Sequence, residues 1–325
     1  MSTNTSSSTV KQRYHLFYDV LVYGDHRCFS EPETGVVRGM LGKLTRSLLT
    51  CDPRFKLTQR PKRCLTSSDP ETLHLPRILC LHGGGVNAQI FELQCRALIR
   101  SLASSLRLVF MQAPFISAPH PDIVSVYGEY GPFRRWLRWQ PDHPEIEAEA
   151  AAELLRNQAR RAMDTDPGTG EWIGILGFSQ GAKIAASLLW TQQKVTEQFG
   201  AEEALTQFKF GVLMAGRAPL ITLDSRLQHP PAVVDAALLS SEFKDFPESN
   251  IGDHVLSIPT LHVHGLRDPG LEQHQILLKT YCATGTTTLV EWDGGHRIPI
   301  KSHDVDAVTT EILKLAKNAG VKLPN

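Results

Sequence analysis

Ser179 stands between two glycines in the segment Gly177-Phe178-Ser179-Gln180-Gly181, and this segment is the first feature of the 325-residue sequence that could do chemistry. A G-x-S-x-G match is weak by itself, because about one chain in ten of this length would contain one by chance. A strand before it and a helix after it would form a tight turn that exposes a nucleophilic hydroxyl. The apolar run before the segment and the alanine-rich run after it fit that context.

Two polar residues of the right types follow glycine turns later in the chain. Asp268 comes after the strand-like run 259–264, and His296 comes after the run 286–292. The order serine, aspartate, histidine is the order of the α/β-hydrolase triad. A serine hydroxyl is a weak nucleophile, so His296 would accept the proton of Ser179. Asp268 would then hold the imidazole in the required tautomer.

Two other assignments compete with this one. Asp293 lies three residues before His296 and could be the acid, but it would sit on the histidine's own turn, so Asp268 is favoured. His262 and His264 place two imidazoles on one face of a strand and could bind a metal ion. No carboxylate or cysteine cluster accompanies this pair, so buried core histidines are predicted instead. The sequence calls for no metal and no cofactor.

A glycine-rich turn after the first strand-like run offers backbone donors. Its sequence is His82-Gly83-Gly84-Gly85, and glycines allow N–H groups to approach a substrate closely. The N–H of Gly84, with Gly85 as second choice, is predicted to form an oxyanion hole together with the N–H of Gln180. His82 is predicted to brace the turn rather than to transfer protons.

The stretch YGEYGPFRRWLRWQ, residues 127–140, combines aromatic and basic side chains. Trp136 and Trp139 are three residues apart and would share one face of a helix. Two interpretations stay open. The stretch is either a helix packed on the body of the protein, or the wall of an acyl-binding pocket with an arginine rim for an anionic carrier or substrate. In the second case Tyr130, Phe133 and Trp136 would contact the substrate.

The elements that must position these residues alternate regularly from Pro76 onward. Short apolar runs are typical of strands buried on both faces of a parallel sheet. The predicted strands are residues 77–82, 107–112, 171–176, 208–214, 259–264 and 286–292. The predicted helices are residues 88–104, 145–163, 181–198, 271–280 and 304–317. This alternation, with the triad order, predicts an α/β-hydrolase fold with a mostly parallel central sheet flanked by helices.

Two intervals interrupt the alternation, and one segment precedes it. Residues 113–144 and 217–258 are predicted to be lid-like insertions in a catalytic domain of residues 77–325. Residues 1–76 lack the alternation and carry a modest excess of basic residues. They are predicted to be an N-terminal extension that is partly disordered or accessory.

Composition argues against several classes of protein. A formal net charge of zero gives no general attraction to nucleic acid, and no apolar run is long enough to predict a membrane span. The six cysteines contain no C-x-x-C pair, and Cys80 lies within an apolar run, which favours a reducing compartment. The first ten residues lack the apolar core of a signal peptide. A cytoplasmic location is therefore expected.

Four segments together resemble the fungal serine hydrolase (FSH) family of α/β-hydrolases. They are ILCLHGGGVNAQIF, GILGFSQGA, LHVHGLRDP and DGGHRIP, and the resemblance covers roughly residues 76–317. With the segment GPFRRWL, the chain is more narrowly similar to the LovG-type esterases that are encoded in fungal polyketide gene clusters. These motifs are specific to the superfamily and fairly specific to the family.

The resemblance implies a serine esterase or thioesterase. It implies that Ser179, Asp268 and His296 form the triad, and that Gly84 and Gln180 supply the oxyanion donors. It also implies an acyl thioester or ester substrate, with release of a polyketide chain from the acyl carrier domain of its synthase. Two alternatives stay open: a general carboxylesterase acting on small soluble esters, and a non-catalytic binding protein on a hydrolase scaffold.

Overall fold

Residues 70–324, the part of the chain that the computed structural model describes, form ten strands and seven α-helices. The strands are β1 (Arg77–Leu81), β2 (Arg107–Met111), β3 (Phe115–Ile116), β4 (Arg134–Arg135), β5 (Trp172–Phe178), β6 (Phe210–Met214), β7 (Leu220–Ile221), β8 (Val233–Val234), β9 (Thr260–Gly265) and β10 (Thr287–Trp292). The α-helices are α1 (Ala88–Gln94), α2 (Arg96–Leu102), α3 (Val124–Tyr127), α4 (Ala148–Thr165), α5 (Gln180–Phe199), α6 (Leu271–Tyr281) and α7 (Ser302–Asn318). The predicted extension, residues 1–76, lies outside the described residues apart from 70–76.

Six of the strands form one parallel sheet in the order β10-β9-β6-β5-β1-β2. All six predicted strands are confirmed. From β1 the chain passes outward to β2, and every later strand of the sheet lies on the other side of β1. The strand order therefore reverses between β1 and β5, and in open α/β sheets ligands bind at the carboxyl ends of the strands at such a point.

Apolar side chains pack on both faces of the sheet. Along β1, Ile78 and Cys80 belong to one buried cluster, whereas Leu79 and Leu81 belong to another, because successive side chains of a strand point to opposite faces. Helices α1, α2 and α7 supply residues to the first cluster, and α4, α5 and α6 supply residues to the second. The arrangement of helices on both faces of a parallel sheet confirms the predicted α/β-hydrolase class.

The predicted helix 88–104 is divided in two at Cys95. This residue has φ −82° and ψ 4°, outside the α-helical ψ range, so α1 ends before it and α2 begins after it. The N–H of Cys95 still bonds to the carbonyl of Phe91 at 2.9 Å, and the side chain is fully buried. The change of direction lets both short helices bury apolar residues against the same face of the sheet.

The helix expected within residues 127–140 is absent from the structure. Helix α3 ends at Tyr127, and Arg134–Arg135 form β4, which pairs antiparallel with β3. Gly131 and Pro132 prevent α3 from continuing, because glycine has a low helix propensity and proline lacks an N–H, and no helix begins between them and residue 140. Trp136 and Trp139 therefore do not share a helix face.

The interval 217–258 contains only two short strands, β7 and β8, joined by loops. Several of its apolar residues, such as Leu220, Leu223 and Val233, are buried in the same cluster as the helix α5. Across residues 70–324, no helix has both the length and the apolar character needed to span a membrane.

Candidate active site

The nucleophile turn connects a buried strand directly to a long helix. Strand β5 ends at Phe178, Ser179 has φ 54° and ψ −118°, and α5 begins at Gln180. A positive φ at a residue other than glycine costs of order 1–3 kcal/mol, and such strained residues cluster at functional sites. The N–H of Ser179 bonds to the carbonyl of Met214 at 2.9 Å, which fixes the turn to β6. This strand–turn–helix geometry is the context that the G-x-S-x-G motif requires.

The two glycines of the motif are required by close contacts. A Cβ atom at Gly177 would press against the backbone of Gly181 and Ala182. A Cβ atom at Gly181 would press against the carbonyl oxygens of Leu81 and His82, at the end of β1. The glycines therefore bring the start of α5 against the end of β1, which places Ser179 beside the glycine-rich turn.

The three predicted triad side chains form one hydrogen-bonded series. His296 Nε2 lies 2.9 Å from Ser179 Oγ, and His296 Nδ1 lies 2.7 Å from Asp268 Oδ2. The other carboxylate oxygen, Oδ1, accepts the N–H of Gly270 at 2.8 Å. His296 Nδ1–H can thus donate to Asp268, which leaves Nε2 to accept the serine proton. These residues lie after β5, β9 and β10, so the carboxyl ends of three strands build the series.

The carboxyl group of Asp268 is held in its ionised form. Burial by itself would raise its pKa, but the N–H of Gly270, the ring of His296 and the nearby His274 outweigh this effect and lower the pKa below its usual range. A carboxylate that stays charged can stabilise an imidazolium on His296 when the proton moves.

Asp293, the competing acid, lies elsewhere. Its carboxylate forms an ion pair with Arg267 at 2.9 Å, and its side chain is 78% exposed. His296 forms its hydrogen bond with Asp268 rather than with Asp293.

The glycine-rich turn after β1 lies against the serine. A Cβ atom at Gly83 would be 3.6 Å from Ser179 Cβ. The N–H of Gly85 donates to the carbonyl of Arg134 at 2.8 Å, so the second-choice oxyanion donor is already engaged. The N–H of Gly84 donates to no acceptor within residues 70–324. The N–H of Gln180 opens α5, where the first N–H groups have no helical acceptor.

His82 braces this turn as predicted. It is completely buried, its Nε2 accepts the N–H of Ala113 at 3.1 Å, and its Nδ1 lies 2.6 Å from the carbonyl of Gly83. Burial lowers the pKa of His82 to about 4, so the ring is neutral and acts through its hydrogen bonds.

Trp136 does not occupy the position predicted for a substrate contact. It is completely buried, and its Nε1–H donates to the carbonyl of His82 at 2.6 Å. Its backbone N–H donates to the side-chain oxygen Oε1 of Gln180 at 2.7 Å. Trp136 therefore joins the glycine-rich turn to the nucleophile turn, a role that its spacing in the sequence did not indicate.

Tyr130 and Phe133 also do not line the cavity that opens beside Ser179. Tyr130 is 40% exposed and its carbonyl accepts a hydrogen bond from the side chain of Asn87 at 2.7 Å. Phe133 is half-buried, and its carbonyl accepts the N–H of Ser117 at 2.9 Å. For both residues, the backbone carbonyl therefore accepts a hydrogen bond that helps to fix the conformation of the insertion 113–144.

We expect Trp136→Phe to lower kcat about tenfold with little change in KM, because a small displacement of the glycine-rich turn weakens only transition-state contacts. The matched control is Trp190→Phe. Trp190 is equally buried and donates its Nε1–H to the carbonyl of Asp253 at 2.9 Å, but it does not contact the turn. Steady-state kinetics on a short acyl ester measure both variants. Equal losses of kcat in the two variants would contradict a role specific to Trp136.

Two polar residues that the sequence analysis missed hold the insertion 113–144 to the site. Asn87 caps α1 by accepting the N–H of Ile90 at 2.9 Å, and its Nδ2–H₂ donates to the carbonyls of Tyr130 and Pro132 at 2.7 and 3.1 Å. An asparagine before a helix is a recognisable N-cap signal, but its other two partners lie more than forty residues later.

Gln180 is the second missed residue, through its side chain. In addition to accepting the N–H of Trp136, it donates Nε2–H to the carbonyl of Leu137 at 3.2 Å. The backbone of the insertion is also fixed directly: the N–H of His120 donates to the carbonyl of Gly85 at 2.9 Å. No sequence pattern marks these contacts, because each joins segments that are distant in the chain.

A cavity of about 500 Å³ opens beside Ser179 and His296. The glycine-rich turn, the segment around α3 and the residues after His296 form its walls. The other lining residues are Gly83, Gly84, Val86, Gln94, Arg96, His120, Asp122, Ile123, Val126, Tyr127, Phe178, Arg297, Ile298 and Ile300.

The arginines predicted to rim the pocket are used elsewhere. Arg134 donates to the carbonyl of Pro114 at 3.1 Å, and the Arg135 guanidinium lies 5.0 Å from the ring centre of Phe115. Arg138 pairs with Glu145 at 3.1 Å. The arginines that line the cavity are instead Arg96 and Arg297, both exposed.

The histidine pair of β9 is buried as predicted. His262 Nε2 lies 3.1 Å from Thr260 Oγ1 and 3.5 Å from Cys282 Sγ, while His264 packs beside it. Their environment is the protein core rather than a cluster of carboxylates.

Asp268, His274 and His296 each place one potential ligand atom within 4.8 Å of the others. Such a set could surround a cation, but Asp268 and His296 are already joined by a 2.7 Å hydrogen bond, which an ion between them would break. The arrangement therefore fits a triad with one additional buried imidazole.

The chain is similar to several known proteins. Residues 72–308 match the family described as Serine hydrolase (FSH1). Esterase claE of Penicillium crustosum is 52% identical over 257 residues, covering 78% of this chain and 97% of that protein. Esterase pigG of Monascus ruber is 51% identical over 265 residues, covering 78% and 96%. Among solved structures, Zea mays acyl-protein thioesterase 2 is similar at 18% identity and a TM-score of 0.45, covering 76% of this chain and 96% of that chain. From the family match and these two relatives, the chain belongs to the serine hydrolase (FSH1) family and is an ester-hydrolysing enzyme.

Proposed function

We propose that this enzyme cleaves acyl thioesters or esters through a covalent acyl-enzyme on Ser179. The observation that carries the proposal is the hydrogen-bonded series Ser179, His296 and Asp268 at the edge of a cavity. Ser179 Oγ attacks the substrate carbonyl while His296 Nε2 takes its proton. The N–H groups of Gly84 and Gln180 stabilise the negative oxygen of the tetrahedral intermediate.

The rest of the cycle returns every group to its starting state. The intermediate collapses, the bond to the thiol or alcohol breaks, and His296 Nε2 gives its proton to that leaving group. A water molecule then loses a proton to His296 and attacks the acyl-enzyme carbonyl. Collapse of the second intermediate releases the free acid, and Ser179 Oγ recovers the proton from His296.

A fluorophosphonate probe tests the assignment of the nucleophile. We expect one covalent adduct per chain, and peptide mapping should place it on Ser179. Heat-unfolded protein is the control, because reaction should require the folded His296 contact. Labelling of another residue, or no labelling of the folded protein, would contradict the proposal.

We further propose that the substrate is a long acyl thioester, and specifically a polyketide chain released from the acyl carrier domain of its synthase. The resemblance to LovG-type esterases motivates this choice, and two features of the cavity support it. Ile123, Val126 and Ile300 give it apolar walls for an acyl chain. Arg96 and Arg297 lie on its rim, where they could bind the phosphate of a phosphopantetheine arm.

We expect Arg297→Gln to raise KM about tenfold for an acyl phosphopantetheine thioester, because a charge-assisted hydrogen bond to phosphate is lost. KM for the same acyl chain on pantetheine, which has no phosphate, should not change. Arg138→Gln is the matched control, since Arg138 is paired with Glu145 and does not line the cavity. Equal KM values of the wild type for the two thioesters would argue against phosphate recognition without affecting the hydrolase assignment.

A general carboxylesterase acting on small soluble esters is the second candidate. The relatives esterase claE and esterase pigG favour ester hydrolysis by their names, and oxygen esters and thioesters use the same machinery. Turnover of pantetheine thioesters of increasing chain length, compared with short nitrophenyl esters, separates the two candidates. A non-catalytic binding protein is set aside, because the chain belongs to a hydrolase family and retains all three triad residue types.

We propose a cytoplasmic location for the enzyme. Cys80, Cys95 and Cys282 are free and buried, which suits a reducing compartment. We also propose that residues 77–325 form the catalytic domain, with residues 113–144 acting as an insertion that covers the site.

A further inference from the structure

His274 lies directly behind the carboxylate of the triad. It is on α6, it is completely buried, and its Nε2 is 3.8 Å from Asp268 Oδ2. The same oxygen accepts the hydrogen bond of His296 at 2.7 Å. Two imidazoles therefore face one carboxylate oxygen, one from the substrate side and one from the core.

The ring nitrogens of His274 have no hydrogen-bond partner within residues 70–324, and neither do those of His264. The two rings lie with their centres 5.5 Å apart. A neutral imidazole must carry a proton on one of its nitrogens, and a buried N–H without an acceptor is costly. The carboxylate of Asp268 is the anion nearest to His274, so it favours the tautomer with the proton on Nε2.

His274 is neutral in this environment. Burial is the main cause that lowers its pKa to about 4, and Asp268 only partly opposes this effect. The charged or titratable groups that face it are Asp268, His264, Arg217 and His296. A neutral ring can donate a hydrogen bond to Asp268 without adding a positive charge that would compete with the imidazolium on His296.

We propose that His274 is a positioning residue, which donates Nε2–H to Asp268 Oδ2 during turnover and so fixes the carboxylate that orients His296. The inference rests on the triad roles given in the proposed function. At 3.8 Å the contact is longer than a hydrogen bond. Hydrogen bonds of catalytic groups are often long in a substrate-free structure and tighten in the substrate complex.

The tautomer can be measured in the unmodified protein. Nitrogen-15 NMR of histidine-labelled enzyme distinguishes a proton on Nε2 from one on Nδ1. We expect Nε2–H for His274, both in the free enzyme and in the phosphonylated adduct of Ser179. A proton on Nδ1 in both states would overturn the inference, because Nε2 would then have no proton to donate.

Two substitutions test the effect on catalysis. His274→Leu removes the donor, and we expect kcat to fall about tenfold with KM unchanged. Loss of the donor also raises the pKa of Asp268 and makes its carboxylate a stronger partner for a protonated His296, so the acid side of the activity profile should move to higher pH. His274→Gln retains an amide N–H near the position of Nε2 and should recover most of kcat and the original profile.

His262→Leu is the matched control. His262 belongs to the same buried group of histidines but bonds to Thr260 rather than to Asp268. If His274→Leu and His262→Leu lower kcat equally, without any change in the pH profile, His274 only fills space and the inference is wrong. Normal kinetics of His274→Leu, in an enzyme that still requires Ser179 and Asp268, would reject this inference alone. Full activity of the Ser179 and Asp268 variants would instead reject the proposed function.

Discussion

Changing Ser179 to alanine should lower kcat by about 10⁴-fold or more on every acyl substrate, because no acyl-enzyme can form. The residual rate should come from the oxyanion donors and substrate binding alone. KM should change little, since the missing hydroxyl contributes mainly to the transition state. Single-turnover hydrolysis of a pantetheine thioester measures the chemical step directly and avoids any limit from product release.

Ser187→Ala is the matched control for this variant. Ser187 also lies on α5, and its hydroxyl bonds to the carbonyl of Lys183 and to the N–H of Ile221. Its loss can destabilise the fold, but we expect kcat to stay within about twofold of wild type, because the hydroxyl has no contact with the triad. A Ser179→Ala enzyme with more than a few per cent of wild-type kcat would rule out Ser179 as the nucleophile.

Asp268→Asn should lower kcat by about 10⁴-fold while leaving the fold nearly unchanged. An asparagine amide can donate to His296 Nδ1, which would place the ring proton on Nε2. His296 could then no longer accept the proton of Ser179. Asp293→Asn, the matched control, only breaks the exposed ion pair with Arg267 and should change kcat less than about twofold. A reversed order of effects would identify Asp293 as the acid.

The lowered pKa of Asp268 also predicts how the stability of the fold depends on pH. The pKa of Asp268 is lower in the folded protein than its ordinary value, so ionised Asp268 stabilises the fold above the unfolded-state pKa. This contribution is lost as the pH falls through the lowered folded-state pKa. The difference in unfolding free energy between wild type and Asp268→Asn should therefore shrink from neutral pH toward pH of about 3. Denaturant titrations at several pH values measure it.

The sequence predicted the fold because its signals are local. Each strand of the main sheet is a short apolar run, and each of Asp268 and His296 follows such a run at a glycine turn. Since the carboxyl ends of parallel strands meet at one edge of the sheet, the order of Ser179, Asp268 and His296 was enough to expect that they converge.

Contacts between distant segments could not be predicted from the sequence. Gly84 and Gly85 cannot be distinguished as donors from their sequence, because only the carbonyl of Arg134, almost fifty residues later, shows that the N–H of Gly85 is engaged. The prediction that Trp136 contacts the substrate was wrong for the same reason, because its partner His82 lies more than fifty residues earlier in the chain. The predicted helix within 127–140 was wrong as well. Gly131 and Pro132 argue against a helix that runs through them, but a proline can begin a helix, so the sequence alone did not exclude one from residue 132 onward.

Hydrogen bonds hold the chain in place immediately before and after the segment 121–129, so this segment could be replaced as one loop. Before it, His120 is bonded to the glycine-rich turn, and after it, the carbonyl of Tyr130 is bonded to Asn87. Between these anchor points, Ile123, Val126 and Tyr127 line the cavity without holding the reacting groups. A graft of this short loop from another member of the family would therefore change which acyl chain is accepted and leave the chemical machinery as it was. Diversification of substrate preference by loop replacement needs no compensating change at Ser179, Asp268 or His296.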